Sequence, residues 1–238
     1  METTAVIQSS SQDFRRIASP VHTIVLLAAE AILVWRGTTQ FHQMRSALEV
    51  NRMRMYERTI LQEWLGFAFV ILGVWLAGSP VAAVLGERWR SAGQILRDLG
   101  IGVAFVIISM LPLSLAGQLL GGTHAEGVVR LMLPHGGVEM ALWIALSVSA
   151  GICEEALFRG YLQRQFMALT NNAALGILLS AAAFGAAHSY QGWPQAFVIG
   201  LEGALLGTMA YWRKSVRPGM VAHAWKDAMA PIFMGMGH

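Results

Sequence analysis

The 238 residues are 55% hydrophobic and only 13% charged, with a mean hydropathy of +0.51. That balance excludes an ordinary soluble domain and identifies a membrane protein. The net charge of +3 comes from arginines and lysines set between apolar stretches, where they face the cytoplasm or lipid head groups, which excludes nucleic acid as a partner. The single cysteine, Cys153, excludes an internal disulfide, and no Cys/His cluster has structural zinc spacing.

In chain order, residues 1–20 form a polar tail with no cleavable leader, so the first apolar run is expected to remain as an anchor. That run, 21–35, is short and carries Glu30; it is expected to cross only with help from neighbours, or to lie partly in the interface. Residues 36–58 read as a long basic connection with apolar positions at helical spacing, laid along the membrane surface. Six firmer apolar stretches follow at 60–85, 99–120, 138–157, 173–187, 194–212 and 219–235, most of them near the roughly 20 residues a crossing helix needs. The expected fold is an all-α, polytopic transmembrane helix bundle of six to eight spans, with short loops that make consecutive helices antiparallel neighbours. The tail (1–20), the N-terminal helices with their basic loop (21–137) and a C-terminal helical core (138–238) are its parts. If every segment crosses, Arg15, Arg16, Arg88, Arg90, Arg97, Arg159, Arg164, Arg213, Lys214 and Arg217 share the side of the N-terminus against Arg36, Arg45, Arg52, Arg54, Arg58 and Arg130 opposite, which favours a cytoplasmic N-terminus.

A charged side chain near the middle of a span costs about 2.5–3.5 kcal/mol on insertion scales, so such residues face the bundle interior and mark function. Three stretches carry them: "GICEEALFRG" (151–160), "FGAAHS" (184–189) and "HAWKDAM" (223–229). Glu155 and Arg159 are four apart with the acid first, the favourable order for an ion pair, while Glu154 points about 100° away. Glu155 is thereby held and Glu154 is left free, as suits a general base in a low-dielectric pocket. Phe184 and His188 repeat the spacing, so the ring packs beside the imidazole, and His223 and Asp227 repeat it again. One shared cavity would satisfy all these groups together. Glu30 and Glu202 read as acids in interhelical hydrogen bonds. His22, His42, His124, His135 and His238 sit at segment ends or in loops, and Cys153 reads as a small packing residue. The same bundle could instead be an ion-coupled transporter lined by these groups, or a non-catalytic immunity protein that only binds a partner.

"EEALFR", "FGAAH" and "HAWKD" match, in order, the EExxxR, FxxxH and HxxxN/D signatures. On these motifs residues 138–235 resemble the CAAX prenyl endopeptidase-like and bacteriocin-processing (CPBP, Abi) family of intramembrane proteases. The resemblance implies a multi-pass protein of a prokaryotic plasma membrane whose partners are membrane lipids and a membrane-associated protein or peptide substrate. It implies that Glu154 and His188 activate a water for attack on the scissile bond, that Glu155 and Arg159 shape the site, and that His223 helps hold the oxyanion. Asp227 departs from the more frequent Asn. An ionised carboxylate cannot donate a hydrogen bond, so Asp227 is expected to stay protonated, to orient His223 or to ligate a metal. A metal-free mechanism without cofactor is favoured. The alternative is a Zn2+ site formed by Glu154, His188, His223 and Asp227, although no HExxH is present.

Overall fold

The computed structural model describes residues 14–46, 51–121 and 130–235, and these are helical with no strand. The elements are α1 (Pro20–Ser46), α2 (Arg52–Leu76), the short α3 (Ala82–Leu85), α4 (Ala92–Leu119), α5 (Gly137–Glu154), a π-helical segment (Glu155–Leu162), α6 (Gln163–Thr170), α7 (Ala173–Ala187), α8 (Trp193–Arg213) and α9 (Arg217–Gly235). Local chemistry sets their ends. The side chains of Asn51, Ser91 and Asn172 accept from the backbone N–H of Arg54, Gln94 and Leu175 and so cap α2, α4 and α7. Lys214 and Asn171 adopt left-handed backbone at helix C-termini.

α5, the π segment and α6 run on as one 34-residue helix whose most apolar window is 56% buried, against 11–17% for α1, α2 and α4. It is therefore the axis of the molecule. α2 and α9 pack on α5, α4 packs on α9, and α7 lies between α6 and α8. The core gathers Leu26, Val70, Val74, Leu157, Tyr161, Leu162 and Phe184 around this axis. Close approach needs Gly151, where a Cβ would stand 2.7 Å from the Met220 carbonyl on α9. Outward, Ile108, Leu111 and Leu119 are more than 70% exposed, which is tolerable only against lipid.

Among the described residues four helices are long and apolar enough to cross a membrane, Pro20–Thr39, Arg52–Leu76, Ala92–Leu119 and the axis Gly137–Thr170; Ala173–Ala187 is apolar but shorter. The protein is an integral, multi-pass membrane protein. Two local expectations change. The first run does not stop at residue 35: α1 continues to Ser46, the hydroxyls of Thr38 and Thr39 donating to the Val34 and Trp35 carbonyls. Most of the 36–58 stretch is thus helical, because α2 already starts at Arg52 and Tyr56 donates to the Met132 carbonyl at 2.5 Å. Residues 47–51 lie between the two helices, and of these 47–50 are outside the described residues.

Candidate active site

Glu154 ends α5 and Glu155 opens the π segment, so the two neighbouring acids leave the axis in different directions. Glu155 is fully buried. Its Oε1 accepts from Arg159 Nη1 at 2.8 Å and stands 3.1 Å from Nδ1 of His223 on α9. Two glycines make room: a Cβ at Gly219 would lie 2.8 Å from Glu155 Oε2, and one at Gly203 would lie 3.1 Å from Arg159 Nη2. The Glu155–Arg159 pair read from the spacing is present, and it reaches a third group that spacing alone could not supply.

His223 is 6% exposed and is approached by carboxylates on both ring nitrogens. Beyond Glu155 on Nδ1, its Nε2 stands 3.4 Å from Asp227 Oδ2 and 3.7 Å from Glu154 Oε2. Asp227 is fixed from behind, since Trp143 Nε1 on α5 donates to its backbone carbonyl at 2.9 Å. Oε2 of Glu154 and Oε2 of Glu155 are both buried without a hydrogen-bond partner, and the two acids differ in Oε1 of Glu155, which Arg159 holds.

His188 follows the C-terminus of α7, and its Nδ1 lies 2.9 Å from the Phe184 carbonyl. A carbonyl only accepts, so Nδ1 carries a proton and Nε2 of the neutral ring keeps its lone pair. The Phe184 ring is the hub of the cluster. It stands edge-on to His188 at 4.8 Å and to His223 at 5.9 Å between centroids, and the Arg159 guanidinium carbon lies 4.0 Å from its centre. The ring thus offers Arg159 a cation–π partner in a place where water is excluded.

A cavity of about 660 Å³ adjoins these groups, lined among others by His188, His223, Asp227 and Phe184. Its size is that of an ordinary ligand pocket. Two further charged features face it. Glu202 on α8 and Lys226 on α9 form an ion pair at 2.5 Å, which gives Glu202 the interhelical partner expected of it. Glu63 on α2 also lines the cavity, with a buried Oε2 that has no hydrogen-bond partner, and it interacts electrostatically with Glu154 and Asp227. Glu63 was missed in the sequence, although the signal was there: it is an acid inside an apolar run, like Glu154. Glu30 on α1 is likewise an electrostatic neighbour of Glu154 and so faces the bundle.

The remaining polar residues hold the scaffold. His22 stacks on Phe69 and bonds the Tyr161 hydroxyl at 2.7 Å and the Phe69 carbonyl at 3.0 Å. The His135 N–H donates to Glu139, and Cys153 is buried at 2% exposure, as a packing residue should be. The side chain of His42, and His124 and His238 entirely, lie outside the described residues.

A zinc site would need Glu154, His188, His223 and Asp227 to converge on one point. Among the described residues no three His, Cys, Asp or Glu side chains are arranged to hold a metal ion. No step below is routed through a metal.

Residues 136–229, which carry all three motifs, match a family model described as Rce1-like, type II CAAX prenyl endopeptidase Rce1-like. No curated protein and no solved structure matches the chain closely enough to be named beside it.

Proposed function

We propose that the protein is an intramembrane endopeptidase that hydrolyses membrane-associated protein or peptide substrates, with Glu154 as general base; residues 136–229 match the Rce1-like, type II CAAX prenyl endopeptidase model. The observation that supports this reading is that Glu154 Oε2, buried and without a hydrogen-bond partner, stands 3.7 Å from Nε2 of His223, which lines the cavity together with His188 and Asp227. A buried carboxylate oxygen normally finds a partner, and one left open is suited to a water or a substrate group.

In the proposed reaction Glu154, with the Nε2 lone pair of His188, takes a proton from water as the oxygen attacks the scissile carbonyl carbon. The proton then passes to the amide nitrogen as the C–N bond breaks, giving a carboxylate and an amine. His223, steered by Glu155 on Nδ1, turns Nε2 toward the developing oxyanion. Arg159 acts one step back by fixing Glu155. Of the three roles open to Asp227, orientation of His223 is the one its 3.4 Å separation from Nε2 supports. The hydrolysis proposed is metal-free, with Glu154 and His188 activating the water.

The test is cleavage of a fluorogenic membrane-anchored peptide by the purified protein in liposomes, with prenylated and unprenylated anchors in parallel. Wild type is expected to cleave and Glu154→Gln to lose cleavage with its unfolding profile unchanged. Retained turnover in Glu154→Gln overturns the general-base assignment. Absence of wild-type turnover on either substrate, with Glu154→Gln still binding peptide, favours a binding protein instead.

A further inference from the structure

A second cavity, of about 500 Å³, lies at the other end of Arg159, between α6, the turn joining α8 to α9 and the segment before α1. Its wall carries Arg15, Arg164 and Lys214 beside Arg159, and among the described residues none that lines it is acidic. Among the described residues Arg15, Arg164 and Lys214 form no ion pair or hydrogen bond through their side chains. Nearby, Arg213 contacts Asp98 at 3.3 Å and Arg217 the Gly86 carbonyl at 3.3 Å. The cavity therefore brings together three cations that no described acid neutralises.

Two buried polar atoms belong to the same wall. Arg159 is 2% exposed and its Nη2 has no hydrogen-bond partner; Gln163 is 3% exposed, donates through Nε2 to the Gly207 carbonyl and leaves Oε1 unpaired. Both atoms are closed off by helix packing, Gln163 Oε1 against Gly207 and Arg159 Nη2 against Gly203, so a fitting ligand brings negative charge for the three outer cations. The surroundings locate it at the lipid boundary, because Trp212 and Leu169 are 69% and 66% exposed and tryptophan favours the headgroup level.

We propose that this cavity binds the head group of an anionic glycerophospholipid, its phosphate held by Arg15, Arg164 and Lys214. Polybasic surfaces attract anionic lipid at about 1 kcal/mol per Lys or Arg, and a concave site adds direct charge-assisted hydrogen bonds. The inference concerns binding and stands whether or not the other cavity is proteolytic.

The experiment is native mass spectrometry of the full chain in detergent, titrated separately with phosphatidylglycerol, phosphatidylcholine and inorganic phosphate. Phosphatidylglycerol is expected to bind at least about tenfold more tightly than phosphatidylcholine, and Arg164→Gln/Lys214→Gln is expected to erase that preference while the thermal midpoint in phosphatidylcholine stays the same. If the double variant does not fold, Arg15→Gln, on an exposed side chain, is expected to weaken phosphatidylglycerol binding about threefold to fivefold. Equal binding of the two lipids, or a preference untouched by these substitutions, overturns the proposal. Saturation by inorganic phosphate with no lipid retained assigns the cavity to a soluble anion and also overturns it.

Discussion

Replacing Arg159 by Met and Glu155 by Gln, singly and together, probes the most buried charges in the molecule. The two side chains are 1% and 0% exposed and 2.8 Å apart, so a single substitution strands an ion where solvent cannot reach it. Removing one partner of such a pair costs about 3–5 kcal/mol. Arg159→Met belongs near the lower figure, because Glu155 keeps His223 at 3.1 Å. Glu155→Gln leaves Arg159 with the Phe184 ring, whose cation–π attraction of about 2 kcal/mol offsets part of the loss. The double variant leaves no ion stranded and is expected to lose at least about 2 kcal/mol less than the sum of the singles. Unfolding by SDS in mixed micelles, followed by tryptophan fluorescence, gives all four free energies. Additivity within about 0.5 kcal/mol would mean that the two groups do not interact and that the site is not organised around their pair.

Gly219→Ala places a methyl 2.8 Å from Glu155 Oε2, and a loss of about 1–3 kcal/mol is expected in the same unfolding assay, together with reduced cleavage. An unchanged variant would show that Glu155 can swing away freely. Glu63→Gln removes a carboxyl whose Oε2 is buried without a partner and which neighbours the acids Glu154 and Asp227 as well as His223; relief of the acid–acid contacts is expected to raise stability by about 1–3 kcal/mol. A fall would mean that attraction to His223 outweighs repulsion by the two acids. Asp227→Asn keeps the shape and provides an amide donor; cleavage is expected to persist or rise, to survive exhaustive chelation, and to leave metal content by mass spectrometry unaltered. Zinc that departs with activity and restores it on return would refute the metal-free reading.

What the sequence discloses about the site is whatever lies within one helical turn. Glu155 with Arg159, Phe184 with His188, and His223 with Asp227 are all four apart, and each pair is in contact. Contacts between helices are not encoded in spacing, so the bond from Glu155 to His223 and the arrival of Glu63 from α2 had to be seen. Glu202 lies between: its apolar surroundings require a partner, yet nothing local names Lys226. The length of α1 was misjudged for a different reason. Counting apolar residues ends at Arg36, whereas backbone hydrogen bonding is indifferent to side-chain polarity and carries the helix to Ser46.

The π-helical stretch shows why neighbouring acids can hold opposite roles. Successive residues of an α-helix are turned by about 100°, so Glu154 and Glu155 cannot both face His223 Nδ1 and Arg159. The backbone widens at Glu155, and all eight residues from there to Leu162 are buried. Widened turns of this kind are uncommon and recur at functional sites. Here the widened stretch begins at the acid that must be enclosed and leaves the preceding one on the regular helix, 22% exposed at its side chain. The π segment thus opens at the carboxylate that Arg159 and His223 both contact, and the acid before it keeps the more exposed side chain of the two.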